Sequence, residues 1–402
     1  MVLGVVRERG PVSKAEIARE TGLSQATVGA IVPLLIERGL VSESAPVVSG
    51  VGRPPTLLEL DHDFYNVVGL KLMEDHIVAV VTDLEAQTLG QCELPLSNID
   101  PESVATTAGA AVDHLLQISG LGHKRILGVG IGMAGVIDTS LGICRSSPFL
   151  GWQDVPIAAL VEGRVGVPVR VDNDTNTLAL AERWFGVGQK SDDFILVTLG
   201  RGVGLSVVVG GSVYRGAHGG AGEFGHTVMS DGDAPCSCGN RGCLEATIGE
   251  PALLRRAQDL AQEHKIQKPT TAAELYAAAP DEQVFSDLLA GAGTLLGRAL
   301  GNLINLLAPE LVVLSGEGVD AGEQLLGAVN AELAVHAHEG LRGSYELVVE
   351  PLSDEAWARG AASLVLDAVF ESPTRSRSTP LWDWDNWQPT ELKERTMKEM
   401  SR

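Results

Sequence analysis

Between residues 226 and 243 the chain gathers one histidine and three cysteines: His226, Cys236, Cys238 and Cys243. One imidazole and three thiols make a full tetrahedral set for a closed zinc site. Gly239 and Gly242 let the short loop turn back so that the three sulfurs can face one point. Three unrelated reduced thiols, or a redox pair, are the alternatives. A redox pair ordinarily has two residues between its cysteines, whereas Cys236 and Cys238 have one. The other cysteines are Cys92 and Cys144, and an odd total of five does not suit a disulfide framework. With His226 completing the set, no position is left for an activated water, so the expected zinc is structural, one per chain. Folding such a loop would fix Glu223, His226 and Glu245 as a polar cluster suited to sugar hydroxyls.

The zinc loop sits inside a long chain. At 402 residues, two or three domains are expected. No apolar run reaches the roughly 18 residues needed to span a bilayer, and the first residues lack the pattern of a signal peptide, so the expected location is the cytoplasm, with no membrane partner. The net charge of −22 argues against nucleic acid as a partner until its distribution is read. Residues 1–60 carry six basic and six acidic residues, so all the net acidity lies downstream. The texture divides into a helical head (1–60), a Val/Gly-rich α/β body (64–371) and a polar tail (372–402) holding Trp382, Trp384 and Trp387.

In the head, Ser13 with Glu16 forms a capping-box signature opening a helix over Lys14 to Thr21. Gly22 supplies a turn, and Ser24 can cap a second helix to about Arg38, with Leu23, Val28, Ile31, Leu35 and Ile36 at helical spacing. Two short strands, Val41 to Val48 and Thr56 to Leu60, flank Gly50-Val-Gly-Arg53-Pro-Pro as a wing. A winged helix-turn-helix of this form puts its second helix in the major groove of double-stranded operator DNA. The candidate contacts are Lys14, Ser24, Gln25, Thr27 and Arg53. A small dimerisation module is the other reading. The second helix has no basic residue before Arg38, and Pro33 interrupts its donors, so affinity should be modest, salt-sensitive and dependent on a homodimer or homotetramer.

In the body, β-rich runs at Ile77–Val81, Val129–Ile131, Val167–Val171, Phe194–Val209 and Leu311–Leu314 alternate with helical stretches at Val104–Ile118, Thr175–Trp184 and Leu289–Leu307. Such alternation predicts a mixed sheet with crossover helices and a ligand at the strands' carboxyl ends.

Several motifs then match in order. They are the head with its Gly-Arg-Pro-Pro wing, Gly132-Met-Ala-Gly135, Val171-Asp-Asn173-Asp174, the glycine loop Gly200-Arg-Gly-Val-Gly204, Glu223-Phe-Gly-His226 with the cysteine loop, and Asn305 to Gly316. Together they resemble the ROK family (repressors, open reading frames, kinases) over about residues 13–371. The resemblance implies a two-lobed actin-like, hexokinase-like (ribonuclease H-like) α/β domain behind the winged head. It also implies a sugar or sugar derivative bound by Asn173, Asp174, Glu223, His226 and Glu245, with His226 reaching zinc through its other ring nitrogen.

In family kinases Asp174 would be the general base. The nucleotide side departs from that pattern: where the family carries Asp-x-Gly-Gly-Thr, this chain has Lys71-Leu-Met-Glu74-Asp75. Side chains stand where backbone amides would cradle phosphates. Each of Glu74 and Asp75 would cost on the order of 4 kcal/mol if set about 4 Å from a phosphate oxygen. Asp174 is then expected to be a vestigial base that accepts a sugar hydroxyl, or an N-cap for the helix after it. The leading expectation is a sugar-sensing transcriptional repressor without enzyme activity. An active ATP-dependent sugar kinase with a fused DNA-binding head, and a ligand-independent scaffold regulator, are the competing readings.

Overall fold

The computed structural model describes residues 1–44, 56–121, 125–229, 232 and 234–370. The chain divides into two units: Met1–Arg145, Trp152–Thr177 and the chain from Ala358 on form the first, and Ser146–Gly151 with Leu178–Trp357 form the second.

The first unit begins with the head: α1 (Val2–Arg9), β1 (Val12–Ser13), α2 (Lys14–Thr21), α3 (Gln25–Glu37), β2 (Val41–Ser44) and β3 (Leu57–Leu60). The capping box is formed, with Ser13 N–H donating to Glu16 Oε2 at 2.9 Å and Glu16 N–H donating to Ser13 Oγ at 3.3 Å. Ser13 Oγ also donates to Glu16 Oε2 at 2.7 Å, and this bond, with the one from Ser13 N–H, holds the Glu16 carboxyl below its ordinary range. Gly22 ends α2 at φ 69°, a conformation glycine adopts without a Cβ penalty. The α3 stripe differs from the sequence expectation. Val28 and Val32 are fully buried, whereas Leu23, Ile31, Leu35 and Ile36 are half-buried, because α3 meets the small head core along one narrow face. The three-stranded sheet runs β1-β3-β2, which is the base of a wing. The expected tip, with Arg53, lies outside the described residues.

The head is tied to the first strand of the body: Tyr65 Oη donates to the Arg38 carbonyl at 2.8 Å. The sheet of the first unit comprises β4 (Tyr65–Leu72), β5 (His76–Thr82), β6 (Thr88–Pro95), β7 (Arg125–Met133) and, after the small sheet β8 (Val136–Asp138), β9 (Ile143–Ser147) and β10 (Trp152–Val155), strand β11 (Val169–Asn173). Helices α4 (Pro101–Ile118) and α5 (Ile157–Val165) lie between them in the chain, and α6 (Asp174–Phe185) follows β11. Its order is β11-β7-β4-β5-β6, with β4, β5 and β6 antiparallel and β7 and β11 parallel to β4.

The second unit repeats that plan. Strands β12 (Phe194–Leu199), β13 (Val203–Val209), β14 (Ser212–Val213), β15 (Leu311–Ser315) and β16 (Glu346–Glu350) give the order β14-β13-β12-β15-β16. Again three antiparallel strands are followed by two parallel ones. The single β-rich run expected over Phe194–Val209 is thus a hairpin turning at residues 200–202. Helices α7 (Leu244–Ile248), α8 (Glu250–His264), α9 (Ala272–Ala278), α10 (Gln283–Leu307) and α11 (Glu323–His336) cover this sheet. Along α10, Gly293, Gly297 and Gly301 recur every fourth residue and bring its backbone against α11. Among the described residues no helix is long and apolar enough to cross a membrane.

The last helix, α12 (Asp354–Phe370), lies from Ala358 on in the first unit. Its backbone at Ala358, Ala361 and Ala362 fills the space where Gly69 of β4 and Gly130 of β7 lack a Cβ, and Phe370 at its end lies 5.0 Å beneath the Arg7 guanidinium of α1. A methyl at Gly130 would overlap the Ala361 carbonyl, so Gly130→Ala should destabilise the chain by about 3 kcal/mol through overpacking. Gly163→Ala in α5 meets nothing and should add about 1 kcal/mol from helix propensity. Thermal melts of the two variants check these opposite signs.

Candidate functional site

In the first unit, β11 hands directly into α6 at Asn173-Asp174. The Asn173 side chain caps the helix, its Oδ1 accepting from Thr175 N–H at 2.9 Å, while its Nδ2 donates to the Gly135 carbonyl at 3.1 Å. Asp174 Oδ1 also accepts from Thr175 N–H at 2.9 Å. Its other oxygen, Oδ2, accepts from Lys71 Nζ, and the two side chains are 15% and 7% exposed. Lys71 is the seventh residue of β4, a strand buried along its whole length, and its parallel partner on β7 is Gly132.

Removing one member of a buried ion pair costs about 3–5 kcal/mol, because the other charge is left uncompensated. The pairing of Lys71 with Asp174 is the contact that reading the sequence missed. A lysine within the otherwise apolar run Val67 to Leu72 was the available signal, since a buried ammonium needs a counter-charge. The far end of the Lys71 to Asp75 segment turns outward at Asp75. Its side chain is 84% exposed and bonded to His76 Nδ1 at 2.7 Å, and the turn closes through Met73 N–H donating to the His76 carbonyl.

In the second unit, the cysteine loop brings His226, Cys236, Cys238 and Cys243 together, with every ligand atom within 4.8 Å of the others. Cys238 Sγ lies 3.7 Å from Cys243 Sγ, and Cys236 Sγ lies 3.3 Å from His226 Nδ1. Zinc–sulfur bonds of about 2.3 Å at tetrahedral angles put sulfurs about 3.8 Å apart, so the donor set fits the ion expected from sequence. A disulfide would need about 2.05 Å. His226 turns Nδ1 to the thiols and Nε2 to Glu223, whose Oε2 is 3.6 Å away. Glu245, on α7, accepts from Val203 N–H at 3.1 Å and from Ser237 Oγ at 3.5 Å, bracing the glycine turn at 200–202 against the cysteine loop.

Glu317, in the turn after β15, borders a cavity of about 370 Å³ lined also by Glu250, Ala273, Tyr276, Ala277 and Asp320. Burial, followed by the charges of Glu317 and Asp320, pushes the Glu250 carboxyl up despite a hydrogen bond from Tyr276 Oη at 3.1 Å. The Tyr276 phenol is pushed up as well, first by burial and then by the Glu250 charge. Glu317 Oε1 accepts from Trp357 Nε1 at 3.4 Å. Three carboxylates on one cavity disfavour a polyanion there.

On the head, Gln25, Ala26, Thr27, Gly29 and Ala30 of α3 are exposed, while Lys14 is half-buried. Ser24 Oγ caps α3 by accepting from Thr27 N–H at 3.1 Å and lies 2.8 Å from Thr27 Oγ1.

A winged helix-turn-helix on a body of two like-ordered sheets is the plan of a DNA-reading head fused to an actin-like, hexokinase-like domain. The chain belongs to the ROK family, whose model matches residues 67–368, and a MarR family model matches residues 1–47. It is 28% identical over 384 residues to the xylose repressor of Caldicellulosiruptor bescii, covering 93% of this chain and 96% of that one. It is 33% identical over 285 residues to a glucokinase of Halalkalibacterium halodurans, covering 68% of this chain and 86% of that enzyme. The crystal structure of a ROK family transcriptional regulator, described as a homologue of the E. coli MLC protein, shares the fold with a TM-score of 0.83 at 24% identity, over 92% of this chain and 95% of the other.

The raised Glu250 carboxyl gives a signed test. A group whose folded pKa is raised by burial stabilises most below its unfolded value and loses that contribution as pH rises through the folded one. Glu250→Gln should therefore melt above the wild type at pH 7.5, and the gap should close as pH falls below the ordinary value of 4.5. Melting curves of both proteins across pH 4 to 8 check this.

Proposed function

We propose that this chain is a DNA-binding transcriptional repressor of carbohydrate metabolism, whose kinase-like body binds a sugar without phosphorylating it. The observation that carries the reading is the Lys71–Asp174 pair. A general base must present a lone pair to the substrate hydroxyl and take up its proton. Here the carboxylate that would do so is held by a buried ammonium, on the strand end where the family's phosphate loop would begin. The xylose-repressor relative, matched along nearly its full length, supports the regulatory reading. The second reading, an ATP-dependent sugar kinase, draws on the retained Asp174 and on the glucokinase relative.

On the regulatory reading, Asn173, Asp174, Glu223, His226 and Glu245 contact the sugar hydroxyls. His226, Cys236, Cys238 and Cys243 would hold one structural zinc, which when bound supplies cross-linking of the loop and no chemistry. Ser24, Gln25 and Thr27 at the start of α3 face base edges and phosphates, with Lys14 and Arg53 as phosphate or minor-groove contacts. A homodimer or homotetramer matches paired half-sites on the operator, and the protein works in the cytoplasm where its DNA is. Sugar changes operator affinity by about 1–3 kcal/mol, or 5- to 150-fold.

Two outcomes are expected. Elemental analysis should find one zinc per chain, and Cys243→Ser should lose it and lower the melting temperature, whereas undiminished stability without metal would refute a structural role. Operator fragments selected from genomic DNA should bind the wild type with strong salt dependence. Gln25→Ala and Thr27→Ala should each weaken that binding by about 1–3 kcal/mol while leaving sugar-induced thermal shifts intact. If no DNA is selected, the repressor reading fails.

A further inference from the structure

Between β3, which ends at Leu60, and β4, which starts at Tyr65, a short link, Asp61-His62-Asp63-Phe64, carries the chain from the head to the body. We propose that His62 and Asp63 of this link, with Asp83 of the body, form a site for a divalent first-row metal ion that straps the link to the turn between β5 and β6.

Asp83 is the fixed corner of the site. It follows β5 and is 5% exposed. Its Oδ1 accepts from Glu85 N–H at 2.9 Å and from Gln87 N–H at 2.8 Å, which holds the turn into β6. Its Oδ2 accepts no hydrogen bond from the described residues and lies 3.9 Å from His62 Nδ1. A buried carboxylate oxygen ordinarily finds a donor. Burial pushes the Asp83 carboxyl up despite the two amides, the mark of a carboxylate short of positive charge.

The other two corners can adjust. His62 Nδ1 is 3.4 Å from Asp63 Oδ1, on side chains 47% and 75% exposed, and all three ligand atoms lie within 4.8 Å of one another. Such separations are long for hydrogen bonds and suit a shared ion. Metal–donor bonds of about 2.1 Å at angles of about 90° to 135° put neighbouring donors about 3.0–3.9 Å apart. One imidazole with two carboxylates is a mixed nitrogen and oxygen set, which suits Mn²⁺ or Zn²⁺ better than Mg²⁺, and the two carboxylates match the ion's charge. Water would complete the coordination on the exposed side.

Position gives the site its consequence. The link is tied to the head by Asp61 N–H donating to the Leu40 carbonyl at 3.1 Å, and to the body by Leu84 N–H donating to the His62 carbonyl at 3.3 Å. An ion on His62, Asp63 and Asp83 would add a cross-link to the second of these ties, so the segment that joins the head to the body would lose freedom when metal binds.

The test uses full-length, zinc-loaded protein dialysed free of unbound metal. The probe is Mn²⁺ alone, which prefers oxygen and nitrogen donors and leaves thiolate-bound zinc in place. Loss of the free-ion electron paramagnetic resonance signal counts bound Mn²⁺, and hydrogen exchange followed by mass spectrometry reads the link. The wild type should bind one Mn²⁺ per chain with its zinc content unchanged. With Mn²⁺ at about ten times its dissociation constant, exchange over residues 61–64 should slow roughly tenfold, the linkage factor for a segment that opens only when the ion leaves.

His62→Ala and Asp83→Asn should each weaken Mn²⁺ binding by at least roughly tenfold, equivalent to about 1.4 kcal/mol, and abolish the slowing. Asp83→Asn keeps an Oδ1 acceptor for the turn and the His62 side chain is half exposed, so both variants should melt near the wild type without Mn²⁺. Asp61→Asn, which removes a carboxylate of the same link outside the site, should bind Mn²⁺ as the wild type does. Absence of Mn²⁺ binding would overturn the proposal. So would an Asp61→Asn loss equal to that of His62→Ala, which would show an ion drawn only by the chain's charge of −22. Binding that the variants abolish but that leaves exchange of the link unchanged would overturn the strap.

Discussion

A lysine ammonium set on a carboxylate inside the first lobe governs what the rest of that lobe can do. Lys71, next to last in β4, and Asp174, the first residue of α6, are 103 residues apart in sequence. Their meeting depends on β4 and β11 both flanking β7, and on Gly132 of β7 carrying no side chain between α6 and α12. A buried ion pair contributes little net stability, since desolvation offsets the Coulomb gain, but breaking it is costly. The arrangement therefore acts as a constraint on the charge and hydrogen-bonding character of one spot in the fold.

The second lobe is organised around a different constraint. Its cysteine loop is short, and its internal bonds include Cys236 N–H with the Asn240 carbonyl, Gly239 N–H with the Cys236 carbonyl, and Gly242 N–H with the Ala234 carbonyl. Such a loop buries little apolar surface of its own, and a tetrahedral ion would supply the missing cross-links. Through His226 and Glu245 the same loop reaches Glu223 on one side and the glycine turn before β13 on the other. Order in the loop and order in the polar cluster are one property.

Local chemistry was readable in the sequence. The Ser13 and Ser24 caps, the Gly22 turn, the helices of the body and the four zinc-type donors all depend on residues close together in the chain, and all are present. Long-range pairing was not readable. Periodicity cannot state that both sheets share one strand order, that Phe194–Val209 folds back at a glycine turn, or that β1 joins β3. Lys71 was legible as the first residue of the segment that replaces a phosphate loop and illegible as the partner of Asp174, because the contact exists only once a parallel crossover has set β4, β7 and β11 in order. Along α3 the spacing overstates burial for the opposite reason: helical periodicity gives a face, and only tertiary packing shows how little of it is covered.

On the proposed reading, this kinase-like body binds sugar and transfers no phosphoryl group. A single-turnover assay with labelled ATP and Mg²⁺, run on zinc-loaded protein against hexoses, pentoses and N-acetylated sugars, tests that most directly. The expected result is no labelled sugar above the level seen with Asp174→Ala, from a protein whose melting temperature one of those sugars raises. Labelled sugar formed by the wild type and lost in Asp174→Ala would contradict it and make the chain a kinase carrying a DNA-reading head.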